Sequence, residues 1–215
     1  MTTALTVACA VGCAALVWAE YVAHRGLRIA AKLAASAAFV ALGGALAGDS
    51  AYAQRILIGL VLGAIGDAAL LGKGTRMFLL GLVAFLLGHI AYVLAIAAIE
   101  PPDRWLGHAG IWAALPIAVS AAVITPMAGR LGSLRIPVFA YVAVISAMVI
   151  AAIAAARGHA LPEPNRCRLL IGACLFYASD ISVARDRFVA HRFANKLWGL
   201  PAYYAGQLLI AWSLA

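Results

Sequence analysis

Two carboxylic acids of this chain stand inside long apolar runs, where carboxylates are expensive. They are Asp67 and Asp180. In other apolar runs lie an ammonium, Lys32, an imidazole, His89, and four phenols, Tyr92, Tyr141, Tyr203 and Tyr204. Ser179 precedes Asp180, and Gln207 follows Tyr203 by one helical turn. A charged side chain inside a membrane span costs about 2.5–3.5 kcal/mol on insertion scales, so each needs a partner or a task. Groups of these types can do general acid/base work or relay protons.

Each also has a plainer reading. Lys32 could snorkel to the interface. Tyr141 and Tyr203 could be interfacial aromatics. Ser179 could bond back to its own helix, and His89 could be a hydrogen-bonded core histidine. Asp67 and Asp180 are harder to dismiss, because a carboxylate at low dielectric wants a partner. Glu20, Asp49, Glu100, Asp103, Glu163 and Asp186 fall near span ends or in connections and need no special role.

The elements that must position these groups follow from composition. Apolar residues make up 66% of the 215 and charged residues 11%, far from the balance of a soluble domain. The expected fold is all-α, a polytopic integral membrane bundle of about eight transmembrane helices forming a single domain over residues 1–215. Lipid offers no partners to backbone N–H and C=O groups, so each span must be helical. The candidate spans are Thr3–Ala19, Ile29–Ala47, Ile56–Leu71, Arg76–Ala98, Gly110–Ala128, Ile136–Ala156, Leu169–Ala184 and Leu197–Leu214. The first has no basic residues before it and reads as a span, not a cleaved signal peptide.

The net charge of +8 sits singly or in pairs between spans, which marks membrane-surface anchoring, not nucleic-acid binding. Odd-numbered connections hold ten Lys and Arg, even-numbered ones five, and Lys32 completes the sixteen. The positive-inside rule puts the odd connections in the cytoplasm. Cys9, Cys13, Cys167 and Cys174 read as small buried apolar residues, with no metal or disulfide pattern.

Depth then becomes informative. At about 1.5 Å per residue, Lys32, Asp67, Tyr141, Asp180, Tyr203 and Tyr204 all fall within roughly 5–12 Å of the odd-connection face. His89, Tyr92 and Gln207 fall somewhat deeper. One polar cavity opening toward that face is expected. An enzyme, a proton-coupled membrane transporter of a small or lipid-like solute, and a structural protein with polar interhelical contacts all remain open at this point. A pathway reaching both faces would favour a carrier. A cavity closed on the even-connection side would favour an enzyme.

The ordered set Gly66-Asp67, Phe78, Gly81, Phe85, Gly88-His89 and Tyr92 resembles the YhhN-like membrane proteins, the lysoplasmalogenase family. The resemblance continues through Tyr141, Met148, Gly172, Phe176, Ser179-Asp180 and Tyr203-Tyr204-x-x-Gln207-x-Leu209-Ile210. It runs from about Lys32 to the C-terminus. Family members often carry Lys-Pro in the second span, where Lys32 here is followed by Leu33.

The resemblance implies hydrolysis of the vinyl-ether bond of a lysoplasmalogen to a fatty aldehyde and a glycerophospho-choline or -ethanolamine. Protonation of the β-carbon would give an oxocarbenium ion, water would add at the α-carbon, and the hemiacetal would collapse. Two carboxyls in different environments can serve that route, one protonated and one ionised. No metal, nucleotide or flavin is required. Asp67 and Asp180 would be the acid/base pair, in either order. Lys32 would hold a phosphate or tune a neighbouring Asp. His89, Tyr92, Tyr141, Ser179, Tyr203, Tyr204 and Gln207 would position water and the glycerol oxygens. The partners implied are the lysophospholipid and membrane lipids. The expected location is the cell (inner) membrane of a bacterium, with the cavity toward the cytoplasm.

Overall fold

The computed structural model describes residues 1–215. The first four apolar runs are continuous helices: α1 Thr2–Tyr21, α2 Arg25–Leu46, α3 Ala51–Ala69 and α4 Thr75–Ala97. Side chains set two of their starts. His24 Nδ1 accepts the Leu27 N–H at 3.0 Å, and Ser50 Oγ accepts the Ala53 N–H at 3.1 Å, each satisfying a donor that a helix N-terminus leaves open. The last three are α7 Arg135–Arg157, α8 Asn165–Phe188 and α9 Phe193–Trp212.

The fifth apolar run is not one helix. It contains α5, Trp105–Ala109, and α6, Ala114–Ile124, with 3-10 turns before, between and after them. Pro116 and Pro126 each lack an N–H, and Gly110 takes a left-handed φ of +56°. Together these keep an α-helical ladder from running through.

Seven of the eight crossings are long and apolar enough to span a membrane. The exception is α9, which carries Asn195, Lys196, Tyr203, Tyr204 and Gln207. Its polar load faces inward, since Asn195, Tyr203, Tyr204 and Gln207 are all buried. The outside of the bundle is apolar: Val11, Ile58, Ile65, Leu80, Leu87 and Leu94 are exposed there. In a bilayer those faces meet acyl chains.

Chain neighbours pack side by side, α1 on α2, α2 on α3, α3 on α4, then α4 on α7 and α7 on α8. Helix α9 closes the ring by packing on α8, α1 and α2. The fifth crossing stays outside it, leaning on α7. At the even-connection end the ring is tied off. Tyr52 and Ser213 hydroxyls meet at 2.6 Å, Trp212 Nε1 donates to Thr6 at 3.0 Å, and Arg168 donates to the Trp212 carbonyl at 3.3 Å. Glu100 is buried at this end beside His108, 3.0 Å away.

One expectation is corrected, and one open alternative is closed. Cys9 and Cys13 are buried, but Cys167 and Cys174 are exposed, since α8 turns them away from its packed face. Lys32 does not snorkel. Helix α2 begins at Arg25, a turn earlier than hydropathy indicates, so Lys32 sits two turns inside it and is 8% exposed.

Candidate active site

Lys32 and Asp67 meet across the α2–α3 contact. Lys32 Nζ donates to Asp67 Oδ1 at 2.5 Å. One turn further along α2, Ser36 Oγ donates to Asp67 Oδ2 at 2.7 Å. Both oxygens of a carboxylate that is 1% exposed are therefore engaged, one by a full positive charge. Burying an ion pair is tolerable only when the remaining lone pairs are also satisfied, and Ser36 supplies that. Sequence reading passed over Ser36. Its signal was its place four residues after Lys32, on the same helix face.

Asp180 has a different setting. Tyr141 Oη donates to its Oδ2 at 2.7 Å, and no Lys or Arg lies within ion-pair distance of it. His89 Nε2 is 3.6 Å from the same oxygen and makes no hydrogen bond. The other ring nitrogen, Nδ1, lies 2.7 Å from the Phe85 carbonyl oxygen. A carbonyl can only accept, so Nδ1 carries the hydrogen and Nε2 of the neutral ring is an acceptor. Nε2 and the Asp180 carboxyl are thus neighbours without a hydrogen bond, an acceptor nitrogen beside a carboxyl oxygen.

The two carboxyls open on one cavity of about 560 Å³. The rings of Tyr203, Phe176 and His89 connect them. Tyr203 and Phe176 centroids are 5.2 Å apart, and Phe176 and His89 centroids 4.4 Å. The Tyr203 hydroxyl lies over Gly63, one turn before Asp67. Phe85 is seated against Gly66, where a Cβ would come within 2.8 Å of its ring.

Lys32, Asp67, Tyr141, Ser179, Asp180 and Tyr203 line the cavity. His89, Tyr92, Tyr204 and Gln207 do not. Tyr92 Oη donates to Gln207 Oε1 at 2.7 Å, and Gln207 Nε2 donates to Tyr203 Oη at 3.3 Å. These groups hold Tyr203 from behind. Tyr204 Oη reaches the Lys32 carbonyl at 3.5 Å, the far limit of a hydrogen bond. Ser179 Oγ donates to its own helix at Phe176 O, 2.8 Å, as its plainer reading has it. No three His, Cys, Asp or Glu side chains converge closely enough to hold a metal ion.

All four odd connections reach the mouth of the cavity, through Glu20 and Arg28, Gly72 and Gly74, Leu131, and the stretch from Asp186 to Asn195. No lining residue comes from an even connection. The cavity is blind. An apolar arm runs under the fifth crossing, walled by Leu82, Val123, Ile124, Met127, Val142 and Ile145. It ends at Ser120 and Tyr177, whose hydroxyls lie 2.6 Å apart.

The model of the YhhN family matches residues 24–214. The chain belongs to the YhhN family. It is 31% identical over 163 residues to lysoplasmalogenase TMEM86A of Bos taurus, an alignment covering 75% of this chain and 65% of that protein. It is 32% identical over 201 residues to the lysoplasmalogenase of Mycobacterium bovis, covering 89% of this chain and 71% of that one. With the human lysoplasmalogenase TMEM86A it shares 30% identity over 162 residues, again 75% of this chain and 65% of the relative. The matched stretch thus spans just under two thirds of the mammalian relatives' length. No solved structure matches the chain.

Proposed function

We propose that this chain is a membrane-embedded hydrolase that cleaves the vinyl-ether bond of lysoplasmalogens, releasing a fatty aldehyde and a glycerophospho-choline or -ethanolamine. The observation that carries the reading is a blind cavity in which two carboxyls have opposite surroundings. Asp67 is clamped by an ammonium; Asp180 faces a phenol and an imidazole. Family membership and the names of the relatives point the same way. The cavity has no lining from the even connections, which suits a site entered from one side.

Asp180 is the proton donor in this reading, because no Lys or Arg lies within ion-pair distance of it and its hydrogen-bond partner is the neutral Tyr141 phenol. Its proton goes to the β-carbon of the vinyl ether. The α-carbon becomes an oxocarbenium carbon, with positive charge shared by the ether oxygen. The Asp67 carboxylate and the rings of Phe85 and Tyr203, which line the cavity, are the electron-rich features around that charge. Water adds to the α-carbon and gives its extra proton to the Asp180 carboxylate, which resets the acid. The hemiacetal then breaks its bond to the glycerol oxygen, which takes up the hydroxyl proton as the aldehyde forms. Tyr141 keeps Asp180 oriented throughout. The apolar arm takes the alkenyl chain, and its depth under the fifth crossing keeps bulk water from the chain.

The orientation we infer puts the mouth in the cytoplasm, on the ten-to-five excess of Lys and Arg in the odd connections.

The test is aldehyde release from a 1-alkenyl lysophospholipid by the purified protein in detergent. The parent should turn over. Asp180→Asn should lose at least about a hundredfold in kcat while eluting as the same monodisperse species, since an amide oxygen can still accept from Tyr141. A folded parent that releases no aldehyde with either headgroup would end the reading. Near-parental turnover in Asp180→Asn would end the assignment of the acid.

A further inference from the structure

Three charged side chains from three helices meet at the mouth of the cavity. Glu20 is at the end of α1, Arg28 in the first turn of α2 and Lys196 in the first turn of α9. Lys196 Nζ donates to Glu20 Oε2 at 2.8 Å, whereas Arg28 Nη1 comes no nearer than 4.0 Å to Glu20 Oε1. Arg28 Nε is buried and has no hydrogen-bond partner. Arg28 thus lines a cavity with its donors largely unused, which is costly for a buried polar atom.

The other charged groups around the mouth are committed. Lys32 belongs to Asp67. Arg187 donates to Thr75 and lies over the Phe78 ring. Asp186 accepts from Asn195 and the Arg192 N–H, with His191 at 2.7 Å. That leaves Arg28, beside the Lys196–Glu20 pair, as the cation with unused donors lining the cavity.

Spacing identifies what fits. Arg28, Lys32 and Ser36 succeed one another every four residues on one face of α2, about 6 Å per step. In a lysoplasmalogen the phosphate and the vinyl ether occupy opposite ends of a three-carbon glycerol, a separation of similar size. A phosphodiester at Arg28 would bring the vinyl ether down to the level of Lys32 and Asp67, with the alkenyl chain continuing into the apolar arm. Guanidinium and ammonium side by side suit a phosphate oxygen pair.

We propose that Arg28 and Lys196 form the subsite for the substrate's phosphodiester, with Glu20 as the positioning residue that holds Lys196 beside Arg28 at the mouth. This rests on the hydrolase reading above and deepens it. It takes the phosphate away from Lys32, which is buried deeper and paired with Asp67.

The experiment compares two substrates with the same alkenyl chain, a 1-alkenyl lysophospholipid and the 1-alkenylglycerol that lacks the phosphate. Arg28→Met should raise KM for the lysophospholipid about ten- to a hundredfold, the weight of a charge-assisted hydrogen bond, with kcat within about twofold. The loss should be confined to the substrate that carries phosphate, and Arg28→Lys should recover part of it. An unchanged KM in Arg28→Met, or an equal loss on both substrates, would overturn the proposal.

A second measurement separates the subsite from the chemistry. A saturated 1-alkyl lysophospholipid, which has no vinyl ether, should raise the melting temperature of the parent and not of Arg28→Met. If the parent releases no aldehyde from any substrate yet shows this difference, the subsite stands and the vinyl-ether reading fails. If the parent shows no shift, or if inorganic phosphate alone gives the same shift, the lipid phosphodiester site is refuted.

Discussion

Replacing Lys32 by Met removes the cation paired with Asp67 and leaves a carboxylate that is 1% exposed with Ser36 as its remaining donor. Breaking a buried pair by removing one partner costs about 3–5 kcal/mol. Ser36 keeps the loss inside that range, because a hydrogen bond to a charged group contributes about 1.5–3 kcal/mol. For a chain of this size each kcal/mol moves the melting temperature by about 2–4 °C, so Lys32→Met should melt about 10 °C below the parent. Asp67→Asn alone should also melt lower, since it strands the ammonium. In the double variant neither charge is left alone, and the amide that replaces the carboxylate can still accept from Ser36. It should recover most of the loss, with a coupling of at least about 2 kcal/mol. Thermal unfolding in detergent, followed by tryptophan fluorescence, gives all four melting temperatures, and aldehyde release gives the activities. The double variant should be stable and inactive. A Lys32→Met protein melting within about 2 °C of the parent would refute the buried pair. A double variant as unstable as the sum of the singles would refute the coupling.

Two further outcomes follow from packing. A Cβ at Gly63 would overlap the Gln207 amide and press within 3.2 Å of the Tyr203 hydroxyl. Gly63→Ala should therefore lower the melting temperature by several degrees, an overpacking cost of about 1–3 kcal/mol, and lower kcat by displacing Tyr203; an unchanged melting temperature would contradict the close approach. Ile145 walls the apolar arm and is 2% exposed. Ile145→Trp should shorten the arm, so kcat/KM for a long alkenyl chain should fall by about tenfold or more relative to a short one, about 1–3 kcal/mol of lost contact. Equal effects on both chain lengths would place the chain elsewhere.

Hydropathy was enough to divide the chain into eight crossings, because the lipid-facing sides of α1 to α4 leave long apolar runs. Depth was legible too. The rise per residue brought Lys32, Asp67, Tyr141, Asp180, Tyr203 and Tyr204 to one level, and all but Tyr204 line one cavity. Azimuth was not legible. His89, Tyr92, Tyr204 and Gln207 share the region but point behind the cavity wall, and only helix packing decides that. Pairing was hidden for the same reason. That Lys32 belongs to Asp67 depends on α2 lying against α3, and Ser36 looks like any small helical residue until Asp67 is beside it. The break in the fifth crossing was masked by its apolar composition, although Pro116, Pro126 and Gly110 were in view. Glu20 was set aside as a span-end residue, yet it joins α1 to α9.

Helix α9 has a consequence for how the protein is made. A helix with Asn195, Lys196, Gln207 and two phenols in its sequence is a poor candidate for partitioning into lipid by itself. The groups that satisfy it lie far upstream: Glu20 takes Lys196, Tyr92 takes Gln207, and Thr6 takes the Trp212 indole N–H. All are synthesised before α9 leaves the ribosome. Its insertion is then expected to be a docking step onto helices already in the bilayer, with the assembled bundle as its solvent. The cavity acquires Tyr203 and Lys196 only at that step, so the site is completed last, when the ring closes.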